Sequence, residues 1–209
     1  MATTTPNYGW PVPTSTDLVK NGATAIEALG DAIDATVFGL PGSGLVKINT
    51  TTFSAVSSQS VNNVFSSTYD NYKIILNIDS TSSTSYDLVL RLRVGGSDLS
   101  TTVYTYGGIF AKAGNTSQVD YATSGSGWNI GGDSAIGQGA QFFVEIGNPF
   151  RTTGKHTAYW QSFGVAGGQN AAATYGAQVA AGTSYTGFSL VERFGGTITG
   201  SVSVYGYNK

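Results

Sequence analysis

The rhythm of apolar and polar positions changes once along this chain. Up to residue 37 it is helical: Val19, Ile26 and Ile33 recur at one heptad position, with Leu29 at another. Leu18, Ala25 and Val37 widen that apolar face, while Asp17, Lys20, Glu27, Asp31 and Asp34 lie largely off it. Gly22 and Thr36 share the position of Leu29 and weaken its stripe. Ser15, Thr16 or Asp17 can cap the start, so the pattern predicts one amphipathic helix over residues 15–37. A helix this short is marginal alone, and its stripe must pack either on its own chain or on another copy. Three interrupted heptads do not set the number of strands in such an assembly.

Ahead of the helix, Pro6, Pro11 and Pro13 fix their own φ and bias their predecessors toward extended backbone. Residues 1–13 therefore read as an extended arm. Tyr8 and Trp10 on that arm have no core of their own. They fold back on the body or dock into a neighbouring molecule, and aromatics on an extended arm suit docking. Three glycines and a proline within Phe38–Gly44 end the helix and place a domain boundary there, giving residues 1–44 and 45–209.

Beyond the boundary the period is two. Leu45–Thr50 reads as a strand. Tyr72–Ile78 is nearly continuous and apolar, as in a strand buried on both faces. Tyr86–Val94 alternates, with Leu88, Leu90, Leu92 and Val94 on one side and Asp87, Arg91 and Arg93 on the other. Thr102–Ala111, Ala140–Gly147, Thr157–Ala166, Thr174–Ala180, Thr186–Glu192 and Ile198–Tyr207 follow. Eight or nine strands with Gly- and Ser-rich turns predict a mainly β chain. Its fold class is an antiparallel β-sandwich (jelly roll), preceded by the extended arm and one short helix. Lys112–Gly139 carries seven glycines and little alternation, and is expected to contain a large exposed loop.

Composition narrows the function. Charged residues make up 11% of the 209, less than half the common share of about 25%. Such a surface of hydroxyls and amides suits packed assemblies, where Lys and Glu would be desolvated at a cost. Ten scattered basic residues and a net charge of −2 argue against a nucleic-acid partner. The chain has no Cys, which removes disulfides and thiolate chemistry. No apolar run reaches the ~20 residues of a membrane span, so membrane insertion is not expected. The N-terminus has no signal-peptide pattern, which points to a protein made in a cytoplasm.

Candidate chemistry is sparse. His156 is the only histidine and reads as a strand residue with a satisfied partner. No Gly-x-Ser-x-Gly elbow and no phosphate loop occur, and Gly125-Ser-Gly127 is simply glycine-rich. Glu145 and Glu192 are the only glutamates outside the helix, and both fall in alternating strand segments. Asp120 and Asp133 lack the spacing of a cation loop. No catalytic residue, metal or cofactor is expected, and the chain does not read as an enzyme. Aromatics remain: 12 Tyr, 10 Phe and 3 Trp. Sugars stack on such rings while fixed polar groups bond their hydroxyls. Trp128 and Asn129 with Asp133, joined by Tyr104 and Tyr106, form the candidate ligand site, against the alternative that these rings are core.

Three stretches carry a family resemblance. Thr5-Pro-Asn-Tyr-Gly-Trp10 continuing into Ser15-Thr-Asp-Leu-Val-Lys-Asn-Gly-Ala-Thr-Ala-Ile26 is the first. Val64-Phe-Ser-Ser-Thr-Tyr-Asp-Asn-Tyr-Lys-Ile74 and Gly195-Gly-Thr-Ile-Thr-Gly-Ser-Val-Ser-Val-Tyr-Gly206 are the others. They resemble bacteriophage virion structural proteins of the tail fibre or minor tail type, from marine, cyanobacterial and actinobacterial phages. The resemblance implies a jelly-roll body, homotrimerisation and an N-terminus that attaches to the virion. Pro6, Tyr8, Trp10 and Pro11 would then make the attachment, and Val19, Ile26, Leu29 and Ile33 the oligomer core. The expected partners are further copies of the chain, other virion proteins of tail or capsid, and a host-surface glycan. No long repetitive shaft is present, so the form expected is a short fibre or appendage located on the virion. The alternative is a capsid cement or decoration protein.

Overall fold

The computed structural model describes residues 3–15, 18–39, 44–82, 88–114, 117–131, 139–166, 169–180 and 182–208. The chain divides into two compact units, Met1–Ser43 and Gly44–Lys209.

In the first unit the arm doubles back. Strands β1 (Thr3–Thr4) and β2 (Pro11–Val12) pair antiparallel. Thr5 N donates to Trp10 O, Gly9 N donates to Thr5 O, and Gly9 closes the loop at φ +68°, a conformation glycine adopts freely. A 3₁₀ turn at Val19–Asn21 leads into helix α1 (Gly22–Gly39), so the helix proper begins later than its apolar pattern suggests. Ser15 precedes this turn. The other proposed caps, Thr16 and Asp17, lie outside the described residues. The hairpin packs along one side of α1, over a cleft lined by Pro11, Pro13, Asn21, Thr24, Ala25 and Ala28. Trp10 Nε1 donates to Thr36 Oγ1 at 2.9 Å, and that hydroxyl donates in turn to Ala32 O at 2.8 Å. An indole N–H seeks an acceptor wherever it is covered, and the helix supplies one.

The second unit holds thirteen strands among its described residues: β3 (Leu45–Val56), β4 (Ser58–Val61), β5 (Asn71–Thr81), β6 (Leu88–Val94), β7 (Ser97–Asp98), β8 (Tyr104–Lys112), β9 (Gln118–Gly125), β10 (Trp128–Asn129), β11 (Ala140–Gly147), β12 (His156–Ala166), β13 (Gln169–Val179), β14 (Gly187–Glu192) and β15 (Ile198–Tyr207). They form two antiparallel sheets. The larger runs β3-β15-β5-β11-β12-β13-β8-β9, and the smaller runs β10-β6-β14-β4 with β7 on β6. Their inner faces share one core in a sandwich-like arrangement. Tyr72, Ile74, Leu76, Phe142, Val144 and Trp160 come from the large sheet, and Leu90, Leu92, Trp128, Phe188 and Leu190 from the small one. Alternation along β5, β11 and β15 puts every second residue into that core.

Most expected strands appear with small boundary shifts. Lys112–Gly139 differs. Gln118–Gly125 is the edge strand β9, and Trp128–Asn129 pairs with Leu90 and Val89. The exposed loop expected there is therefore largely structured among its described residues. The edge strand escapes a periodicity reading because its large apolar residues, Val119 and Tyr121, face outward over a polar and small-residue inner row.

Candidate functional site

Two surfaces stand out. The first lies on α1. No described residue of this helix is buried. Val19 on the preceding turn is 96% exposed, Ile26 66%, and Phe38 92%. Val37 is also exposed, and Ile33 is half-buried. The hairpin partly covers the Ala25 and Thr36 side of the helix, where both residues are half-buried. At about 100° per residue, Val19, Ile26, Ile33 and Val37 stack within a narrow stripe on another side. Leu29 lies between the two and is half-buried. The unit thus partly covers one face of its helix and leaves Val19, Ile26 and Val37 of the seven-residue ridge exposed.

The second surface is the outer face of the large sheet. Register places Tyr121, Gly107, Gly176 and Tyr159 in one row across β9, β8, β13 and β12. The two glycines remove the side chains between two exposed tyrosines. What remains is a trough of about 600 Å³, with Thr105, Thr123, Thr157 and Gln178 along its sides. A Cβ at Gly176 would meet nothing within 4 Å, and one at Gly107 only the Tyr121 Cβ at 3.8 Å. Gly108 contrasts sharply. A Cβ there would lie 2.1 Å from Thr174 O and 2.5 Å from the Tyr175 ring. Gly108 is required by packing, whereas Gly107 and Gly176 keep a surface bare. The Tyr121 ring, a backbone floor and hydroxyl and amide groups at the rim can hold a sugar ring, stacked on one side and hydrogen-bonded at its edge. A neighbouring groove of about 660 Å³ is more apolar and includes Ala111, Phe163, Val165 and Ala172.

Set against family models, curated proteins and solved structures, the chain matches none.

The expected ligand residues are not gathered at that trough. Trp128 and Tyr104 are fully buried, and Asn129 is nearly so. Trp128 packs edge-on against Tyr104 at 5.4 Å and points Nε1 at Gln178 O, 3.4 Å away. Tyr104 donates to Leu99 O and accepts from Leu92 N. These two rings are core, a correction that follows from Trp128 sitting opposite Leu90 on an inward-facing row. Tyr106 is half-buried and lines the trough's inner edge. Asp133 lies outside the described residues. The trough residues Tyr121, Gly107 and Gly176 were not singled out. The available signal was a glycine in the interior of two clear strands, which marks a bare place or a close approach.

The other candidates resolve individually. His156 is fully buried against Tyr185, and its Nδ1 lies 2.7 Å from Asn148 O. A carbonyl only accepts, so Nδ1 carries the proton. Glu145 lies on the outer face, where it accepts from Tyr207 Oη at 2.7 Å and approaches Lys73 Nζ at 3.6 Å. Glu192 is buried in the small sheet and accepts from Phe194 N and Gly196 N. The two carboxylates occupy different environments and do not form a pair. Among the described residues no group of three or more His, Cys, Asp and Glu could hold a metal ion. Among the described residues no helix is long and apolar enough to cross a membrane.

The phenols of three tyrosines, Tyr104, Tyr185 and Tyr207, titrate high, Tyr185 by burial alone. Desolvation, reinforced by the Glu145 contact, pushes the Tyr207 phenol up to about 12. Burial pushes Tyr104 higher still, and the bond it accepts from Leu92 N only partly offsets this. An unfolded tyrosine titrates near 10, so all three groups favour the fold below that pH and lose their contribution as pH rises through the folded value. Denaturant midpoints are expected to hold from pH 8 to 9.5 and to fall from pH 10 upward. Tyr207→Phe should reduce the slope of that fall.

Proposed function

We propose that this chain is a bacteriophage virion structural protein: a short homotrimeric appendage attached through its N-terminal unit, whose β-unit recognises a host-surface glycan. The observation that carries the reading is the ridge of exposed Val19, Ile26 and Val37 with half-buried Ile33, on a helix whose other side is partly covered by the hairpin. A large apolar stripe at seven-residue spacing on a marginal helix calls for copies of itself. The sequence resemblance supplies the virion context. In the attachment segment, Trp10 stacks on Tyr8 at 5.3 Å and is tied to Thr36, while Pro6 and Tyr8 stay exposed. Trp10 therefore braces the hairpin, and Tyr8 with Pro6 forms the part offered to the particle.

Adsorption of the purified protein to host cells tests this reading. Saturable binding that competes with infection is expected; binding that never saturates would count against it. Gly176→Trp lays a large ring across the trough from a position where the backbone has room. It should cut adsorption at least tenfold and leave the melting temperature unchanged. Imaging the virion separates the appendage from a decoration role, since the appendage predicts a few copies at one structure and a cement hundreds over the head.

A further inference from the structure

The trough ends over β13 and β12, but its register row continues. Tyr159 on β12 stands directly opposite Gly176, and Glu145 on β11 stands directly opposite Tyr159. Tyr159 is 44% exposed on the same outer face as Tyr121, which is 72% exposed. Three strand steps separate the two tyrosines, about 14 Å at the usual spacing. Gly107 and Gly176 fill the two places between them and raise no side chain. The face they span is uncharged. Along β8, β9, β12 and β13, Lys112, Asp120 and His156 are the residues of acidic or basic type, and all three fall on the inward alternation.

Glu145 supplies the independent observation. Its Oε1 accepts from Tyr207 Oη at 2.7 Å and lies 3.6 Å from Lys73 Nζ. Both contacts fall on that one oxygen. The carboxylate is therefore held in place while Oε2, on a side chain that is 48% exposed, has no hydrogen-bond donor among the described residues. Residues directly opposite each other have Cβ atoms about 5 Å apart, so one sugar ring reaches both Tyr159 and Glu145. Lys73 and Tyr207 already offset the negative charge, which favours a hydroxyl donor over a cation. The occupant is thus uncharged, rich in hydroxyls, flat enough to lie on bare backbone and long enough to span three strand steps. A β-1,4-linked hexose chain is a flat ribbon that advances by about one strand spacing per residue.

We propose that the trough is one part of a longer groove that binds four consecutive residues of a neutral β-1,4-linked hexose polymer across β9, β8, β13 and β12. Tyr121 and Tyr159 are the stacking platforms at its two ends, and Glu145 Oε2 accepts hydroxyls of the residue on Tyr159. The proposal rests on reading the β-unit as a glycan binder. It names the class of polymer, its direction across the sheet and two contact residues that do not line the trough itself, Tyr159 and Glu145.

Calorimetric titration of the full chain with cellobiose, cellotetraose and maltotetraose tests it. Cellotetraose should bind at least tenfold more tightly than cellobiose, which reaches only one of the tyrosines. It should also bind at least tenfold more tightly than maltotetraose, whose α-linkages curl the chain away from a flat sheet. Tyr159→Ala, at an exposed position, should bring cellotetraose down to the affinity of cellobiose with an unchanged melt. Glu145→Gln keeps an oxygen for Tyr207, replaces the other acceptor by a donor, and should weaken cellotetraose several-fold. Equal binding of the two cello-oligosaccharides, equal binding of maltotetraose, no binding of cellotetraose, or indifference to Tyr159→Ala would each overturn the proposal. Host adsorption is scored separately. Adsorption without cellotetraose binding removes this groove alone, whereas cellotetraose binding without adsorption removes the host-recognition reading and leaves the groove standing.

Discussion

Full-length protein carrying Ile26→Asp is expected to sediment as single chains at concentrations where the parent chain sediments as a trimer. Ile26 is the middle of the open ridge and 66% exposed in the single chain. Burying such a side chain against its copies is worth roughly 1.5–3 kcal/mol per chain, and a trimer repeats that gain three times. A carboxylate at the same place reverses the sign. It loses the apolar gain, faces its own copies as like charges, and is desolvated without a partner. The association constant should fall by several orders of magnitude. Glu27→Gln, one residue away but off the ridge, should leave the oligomer unchanged, which separates loss of the seam from a general effect on the helix. A parent chain that sediments as a monomer at high concentration would end the proposal before any variant is made.

The same helix shows how far the sequence reading could reach. Heptad recurrence picked out Val19, Ile26 and Ile33 because a repeated spacing is a local property. It could not say which flank the arm would take, since that depends on Trp10 finding Thr36, twenty-six residues away. In the β-unit, strands with core on one side and solvent on the other were plain: Leu88, Leu90 and Leu92 against Arg91 and Arg93, or Phe142, Val144 and Ile146 against Gln141 and Glu145. β9 was not, because an edge strand with apolar residues outward breaks the rule that alternation encodes burial. Trp128 was misplaced for a related reason. Glycines on both sides made its surroundings look like open loop, while its burial comes from pairing with Leu90, thirty-eight residues earlier. The trough was invisible for the opposite reason. It is defined by missing side chains at Gly107 and Gly176, and only register shows that the two gaps lie next to each other.

Trp160→Ala should lower unfolding free energy by about 3–5 kcal/mol, the range for removing a buried large aromatic, and leave a protein that is partly unfolded at physiological temperature. Trp160 is fully buried on β12. It stacks on Tyr175 at 5.0 Å and 17°, with Tyr106 against it at 6.1 Å. Its removal opens a cavity beneath three neighbouring strands, β8, β12 and β13, which the backbone cannot close without breaking their ladders. Trp160→Phe should behave very differently. The indole Nε1 is buried and has no hydrogen-bond partner among the described residues, so the tryptophan already carries a penalty of about 1–3 kcal/mol for that N–H. Phenylalanine removes the orphan donor, keeps a ring to stack on Tyr175, and loses only part of the volume. The two effects oppose each other, and the net change should stay within about 1.5 kcal/mol. Chemical denaturation of the two variants decides the matter. If phenylalanine costs as much as alanine, the N–H has a partner in solution, and the stack on Tyr175 is not what holds this part of the core.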